Sequence, residues 1–262
     1  MIKTFINPSE WVYFNRGNAN VLYEYRGDNT NLKGKVLRLR LKDQQFDTNA
    51  VYEFKELKIK PLLDEVIDSE IVKVNFAINS ALNDGYGLLM PNLVSNYQLI
   101  KTEKYYKVFQ RKDGTERFLL ELKPKWLQGT EKGCRNCAQH LSKHGEFAQF
   151  CVLGLLNEYF LENTIKSFYD HEQFSEPFIK YFQKDNNILK KLKNLQRIIN
   201  FDTDSIEEIC LQMTLRDLSI FLESTPESVK KVTITDVDPK SPSKLTSWIR
   251  TEVALNDYYN DH

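Results

Sequence analysis

An excess of one charge sign is the first thing this sequence lacks: 36 Lys and Arg stand against 36 Asp and Glu, for a net charge of zero. No global field therefore draws nucleic acid or a membrane surface, and any anion site has to be local. Long apolar runs are also missing. No stretch approaches the roughly 18 apolar residues of a membrane span, and the segment from Met1 to Trp11 has no apolar leader core. The expectation is a soluble, intracellular protein. Cysteine is scarce as well: Cys134, Cys137, Cys151 and Cys210 make no disulfide framework in 262 residues and read as reduced thiols. Core material is plentiful, with 41% apolar and 12% aromatic residues, enough for one large domain or two lobes.

The charge balance breaks over residues 123–143. Lys123, Lys125, Lys132, Arg135 and Lys143 meet one acid, Glu131, for a local charge of +4. Period-2 alternation puts Phe118, Leu120 and Leu122 on one face of a strand and Glu121 and Lys123 on the other, and Pro124 ends it for want of an N–H. Lysines raised together at a strand end suit an anion held between them, such as a multiply phosphorylated small molecule. A solvated strand end fits the same residues.

Upstream, Trp11–Phe14 and Val21–Tyr25 read as strands around the polar loop Asn15–Asn20. Lys35–Lys42 alternates cleanly, with Leu37, Leu39 and Leu41 facing a core and Arg38, Arg40 and Lys42 facing away. Residues 52–82 carry helical spacing, with Leu57, Ile59, Leu62, Leu63, Val66 and Ile67 as the buried stripe. Tyr86–Leu93, broken by Pro91, suits a hinge between lobes. Asp113-Gly114 turns a hairpin of 105–111 and 115–123. Helices are expected in 134–163 and 173–199, and Ser205-Ile206-Glu207-Glu208 fits a capping box. The basic residues of 184–197 suit a solvated helix face, and His171 and His262 read as surface residues. In a last hairpin, 215–222 and 229–237, a symmetric loop centred on Pro226 and Glu227 places Asp217 opposite Asp236, Cβ atoms roughly 5 Å apart.

Facing carboxylates repel unless a proton or cation lies between them. A Mg²⁺ shared with phosphate oxygens fits, and phosphoryl transfer uses those parts. The Arg16–Asn20 loop, with Gly17 and Asn18 at its tip, can present backbone N–H groups to phosphates; an ordinary hairpin turn fits it equally. Cys134, Cys137, His140 and His144 suggest zinc, but all four fall on or beside one helix and the spacing is too short for a finger. Adjacent reduced thiols are the preferred reading.

Six pieces then match in order: Arg16-Gly17-Asn18-Ala19-Asn20, Gly34-Lys35-Val36-Leu37-Arg38, Glu121-Leu122-Lys123-Pro124-Lys125-Trp126, Cys134-Arg135-Asn136-Cys137-Ala138, Met213-Thr214-Leu215-Arg216-Asp217 and Asp236-Val237-Asp238-Pro239-Lys240. With their surroundings they span residues 14 to 248, and the chain resembles the inositol-pentakisphosphate 2-kinases in their compact fungal form. The resemblance implies an α+β, two-lobed kinase-like fold, with a small antiparallel-sheet lobe over 1–90 and a larger mixed lobe over 91–262. It implies transfer of the γ-phosphoryl group of ATP, with Mg²⁺, to the axial 2-hydroxyl of inositol 1,3,4,5,6-pentakisphosphate. In that reading Asp217 is the base, and Lys123 is shared between substrate and the γ-phosphate. Arg16, Gly17, Asn18, Asn20, Arg38 and Glu121 serve ATP. Asp236 holds the metal, with Asp217 and Asp238 as further ligands. Lys123, Lys125, Arg135, Lys143, Lys240 and Lys244 grip the inositol phosphates, helped by Asn186, Asn187 and Trp248. A monomer in the nucleus, needing no nucleic acid or membrane, completes the expectation.

The match is not complete. The arginine that plant members carry before the hinge has no counterpart in 72–84, and their zinc-bearing insertion is absent. A kinase for another inositol phosphate or for a protein, and a non-catalytic inositol phosphate binder, are the competing classes. The Lys-Pro-Lys cluster disfavours a peptide substrate. A pure binder would gain by losing Asp217 and Asp236, which add negative charge beside a polyanion.

Overall fold

The computed structural model describes residues 3–4, 7–42, 44–74, 82–130, 133–146 and 150–261. The chain divides into two compact units, Met1–Ser95 and Asn96–His262. Its architecture is α+β, with seven α-helices and two main sheets among the described residues. No helix among those residues is long and apolar enough to cross a membrane.

In the first unit β1 (Lys3–Thr4), β2 (Trp11–Arg16), β3 (Asn20–Tyr25), β4 (Lys35–Leu41), β5 (Glu70–Lys73) and β6 (Leu82–Pro91) form one sheet. The strand order is β1-β5-β6-β4-β3-β2, antiparallel except where β1 lies beside β5. Leu37, Leu39 and Leu41 join Trp11, Val21, Tyr25, Val72 and Leu89 in its core, as the alternation predicts. The opposite side of β4 is not solvent. Arg40 is buried and donates to Asn20 Oδ1 at 3.3 Å, a contact made possible because the two residues are register partners.

The long helix expected over 52–82 does not form. Helix α1 (Thr48–Phe54) starts at Asp47, whose carboxylate accepts Ala50 N–H at 2.7 Å, and runs into a π-helical turn over Lys55–Ile59. Pro61 then stops it, having no N–H to donate and a ring that clashes with the preceding turn. The chain folds back to become β5. Ile59, Leu63, Val66 and Ile67 are buried, but Leu57 is 70% exposed. Residues 75–81 of that expectation lie outside the described residues. The expected hinge at 86–93 is also corrected, because 86–91 belong to the inner strand β6.

The second unit contains β7 (Tyr97–Thr102), β8 (Tyr106–Arg111), β9 (Phe118–Leu122), a small ribbon of β10 (Gly129–Thr130) and β11 (Gly133–Cys134), and then five helices. These are α2 (Arg135–His144), α3 (Glu158–Phe168), α4 (Glu172–Gln183), α5 (Ile188–Leu195) and α6 (Ile206–Leu215). Strands β12 (Ser219–Ser224) and β13 (Val229–Thr235) and helix α7 (Leu245–Asp261) complete it. The larger sheet is antiparallel in the order β13-β12-β9-β8-β7. Gly114, at φ +76, makes the β8–β9 turn. Phe118, Phe168, Phe174, Phe178 and Phe182 are fully buried, each stabilising the fold by about 1.5–3 kcal/mol. All five residues of β9 are buried, so the Glu121 side is covered too. His171 is half-buried with its ring 5.8 Å from Phe118, not a surface residue, and His262 lies outside the described residues. The 184–197 segment is a charged helix face and its flank, where Lys190 pairs with Asp185 at 2.9 Å and Arg197 with Asp204 at 2.9 Å.

The last hairpin departs from its expected register. Ser219 pairs with Thr235 and Glu223 with Lys231, but Ser224 pairs with Val229 across a β-bulge. The bulge makes the connection asymmetric, which moves the strands one residue from the symmetric pairing. Leu215 ends α6 instead of opening a strand, and Asp217 stands in the turn between α6 and β12. Asp217 and Asp236 are not cross-strand partners.

Candidate active site

Asp217 is set by the turn after α6, closed by its own N–H on Thr214 O at 3.0 Å. Its Oδ1 accepts from Lys125 Nζ and its Oδ2 from Lys240 Nζ. Its partial burial pushes the carboxyl up, but Lys240 and Lys125 outweigh this and hold it below the usual carboxylate range. The group is an ionised carboxylate clamped between two ammonium groups, with 44% of its side chain open to solvent.

Lys125 reaches this position through a left-handed backbone, φ +56, immediately after Pro124. Gln196, fully buried, fastens the turn. Its Nε2 donates to Lys125 O at 2.9 Å and Leu215 O at 3.0 Å, while its Oε1 accepts Leu127 N–H at 2.8 Å. One amide thus joins the strand end carrying Lys125 to the helix end preceding Asp217. Sequence reasoning missed Gln196, since a glutamine just past an amphipathic helix carries no distinguishing pattern.

Asp236 follows β13 with φ +59, is exposed, and accepts from Ser219 Oγ at 2.9 Å. The Asp238 carbonyl accepts from Thr214 Oγ1 at 3.2 Å, tying this segment to α6. Lys123 lines a narrow cleft with Tyr105, Pro124, Lys125 and Asn136. Lys143 and Lys244 are exposed, and Trp248 is half-buried on α7.

Arg135 differs from a free phosphate grip. It is buried, lies 3.6 Å from the Trp126 ring centroid, and pairs with Glu252 of α7, Nε to Oε2 at 3.3 Å. Arg216 sits over the same ring at 4.3 Å and donates to Gln212 O and Oε1 at 2.7 and 2.8 Å. Burial pulls its guanidinium down to about 10. Two guanidiniums on one indole make a rigid floor beside Lys125, and neither Arg216 nor Trp126 had a role assigned from sequence.

Asn187 has to be corrected. It is fully buried, its Oδ1 accepts Leu189 and Lys190 N–H at 3.0 and 3.1 Å, and its Nδ2 donates to Phe182 O and Lys184 O at 2.8 and 2.7 Å. All four amide hydrogen-bonding positions are spent, two capping α5 and two on carbonyls at the end of α4, so none is left for substrate. Asn186 beside it is exposed. Glu121 is buried against Lys107 Nζ at 3.0 Å.

In the first unit Arg16 ends β2, and Gly17 and Asn18 lie in the exposed β2–β3 turn, closed by Gly17 N–H on Asn20 O at 2.9 Å. Asn20 and Arg38 are half-buried on β3 and β4.

The expected pairing of Asp217 directly opposite Asp236 is not formed, and in this structure both Asp217 oxygens accept from ammonium groups. Among the described residues the three ligand side chains that do converge are Cys134, Cys137 and Cys151.

Residues 13–173 match the family model described as inositol-pentakisphosphate 2-kinase. Curated relatives with that name include one from Debaryomyces hansenii, 28% identical over 97% of this chain and 92% of its own length. Another is from Kluyveromyces lactis, 29% identical over 94% of this chain and 95% of its own. A third, from Saccharomyces cerevisiae, is 29% identical over 90% of this chain and 92% of its own. The chain belongs to the inositol-pentakisphosphate 2-kinase family.

Proposed function

We propose that this protein transfers the γ-phosphoryl group of ATP to the 2-hydroxyl of inositol pentakisphosphate, giving the hexakisphosphate. The observation that carries the reading is Asp217 clamped by Lys125 and Lys240. Five phosphates bring roughly eight to ten negative charges. An exposed ion pair contributes only about 0–1 kcal/mol, so incoming phosphates compete well for both ammonium groups. As the lysines turn to phosphate, the Asp217 carboxylate is released to accept the hydroxyl proton. Lys123, Lys143 and Lys244 add cations for the same polyanion, with Asn186 and Trp248 as further contacts. Arg135 joins them only by leaving Glu252. With that pair intact it braces Trp126.

ATP falls to Arg16, Gly17, Asn18, Asn20, Arg38 and Glu121 in this reading, and the two units are the lobes of a kinase-like fold. The Asp236 carboxylate, exposed and only partly engaged by Ser219, is the hard oxygen donor that Mg²⁺ prefers, with Asp238 as a second ligand. When bound, that ion would neutralise charge on the β- and γ-phosphates. A monomeric, nuclear protein belongs to the same reading, on the resemblance.

The test is a transfer assay with inositol pentakisphosphate and γ-labelled ATP. Wild type should form the hexakisphosphate, and Asp217→Ala should lose about 10²- to 10⁴-fold in kcat, the usual contribution of a general base. Product at the wild-type rate from a folded Asp217→Ala protein would remove Asp217 from the chemistry.

A further inference from the structure

Cys134, Cys137 and Cys151 are brought together although thirteen residues separate the last two. Cys134 precedes α2, Cys137 lies in its first turn, and Cys151 precedes the 3-10 turn Val152–Leu156. Their three sulfurs all lie within 4.8 Å of one another. A disulfide would consume two of them and leave the third. A single ion can take all three.

We propose that these cysteines form a binding site for a thiophilic divalent cation, Zn²⁺. Tetrahedral zinc with Zn–S bonds of about 2.3 Å holds its sulfurs roughly 3.8 Å apart, within the spread seen here and reachable by small side-chain adjustments. The Cys-x-x-Cys pair, followed after thirteen intervening residues by a third cysteine, is a metal-ligand spacing. Cys134 is the N-cap of α2 and makes no side-chain cap bond. All three side chains are half-buried, shielded yet not sealed. Cys151 also lines an open cavity of about 520 Å³ with Leu153, Gly154, Asn157 and Thr164. That gives an ion an entry path and leaves room for water as fourth ligand. The first helix alone could not make this site, since it offers only two of the three sulfurs. The ion would tie the start of α2 to the segment at 151–156. The same start carries Asn136, whose side chain donates to Trp126 O at 3.0 Å.

The proposal does not depend on the kinase reading and is tested without activity. The full chain, purified without a metal-binding tag under reducing conditions and incubated with zinc, should retain about one ion after gel filtration. Cys151→Ser and Cys134→Ser should lose it, while Cys210→Ala should keep it. Chelation should lower the melting temperature of the wild type, and zinc should restore it. Cobalt substitution gives an independent readout on the wild type should a variant fail to fold: an intense sulfur-to-cobalt charge-transfer band with tetrahedral d–d bands is expected. Cobalt uptake without a thiolate band, zinc retention unchanged in a folded Cys151→Ser, or no uptake of either ion by the reduced protein would overturn the site.

Discussion

At the scale of single residues, the same chemical type does opposite work in different surroundings. Asp217 is an exposed carboxylate poised between Lys125 and Lys240, whereas Asn187 next to an exposed Asn186 is spent on the backbone of α5. Asn187→Ala should therefore destabilise the fold by about 1–3 kcal/mol, by loss of the cap and of two buried carbonyl partners, and leave the KM for the inositol phosphate unchanged. Urea unfolding and steady-state kinetics check the two halves. The clamp also makes a prediction about pH. Lys240 and Lys125 hold the Asp217 pKa down, so the base form persists to lower pH than for an ordinary carboxylate. Removing one cation raises that pKa, and the acid limb of kcat/KM should move to higher pH in Lys240→Met. By the same sign, the clamp's contribution to stability is present above the unfolded pKa and fades as pH falls through the depressed one. An acid limb that stays in place would separate Asp217 from the titrating base.

At the scale of elements, close approach and special backbone geometry decide where side chains end up. Gly87 on β6 is register partner to Leu39, and a Cβ there would lie 2.7 Å from both the Leu37 and Leu39 side chains. Gly87→Ala should overpack the first sheet and cost about 1–3 kcal/mol, read from the midpoint of denaturant unfolding. The β8–β9 hairpin was legible from Asp113-Gly114 because the turn requirement is local. The β12–β13 register was not, since a bulge at Glu223/Ser224 answers to packing along both strands and leaves no marker in the loop. The helix over 52–82 was overdrawn for a related reason. Helical spacing records which residues are buried, and Ile59, Leu63, Val66 and Ile67 are buried partly beyond the end of the helix.

At the scale of the whole molecule, a neutral chain concentrates its cations locally. Lys123, Lys125, Lys240 and Lys244 come from two segments more than a hundred residues apart, and the second unit places Lys125 and Lys240 on one carboxylate. A polyanion bound there should stabilise the folded state by mass action, about 2.7 kcal/mol at a ligand concentration a hundred times Kd. A rise in melting temperature with inositol pentakisphosphate, weakened by salt and by Lys125→Ala with Lys240→Ala, is the expected outcome. An unchanged melting temperature in wild type would count against the site. The sequence by itself determined the α+β class, the strands of Lys35–Leu41 and Phe118–Leu122, the Ser205 cap of α6 and the family, because alternation, capping and motif order are properties of neighbouring residues. Only the tertiary structure decided that Asp217 meets Lys125 and Lys240 instead of Asp236, that Gln196 binds the two halves of that arrangement, and that Cys151 joins Cys134 and Cys137. Those contacts depend on where separate segments stop against a shared core, which local spacing does not encode.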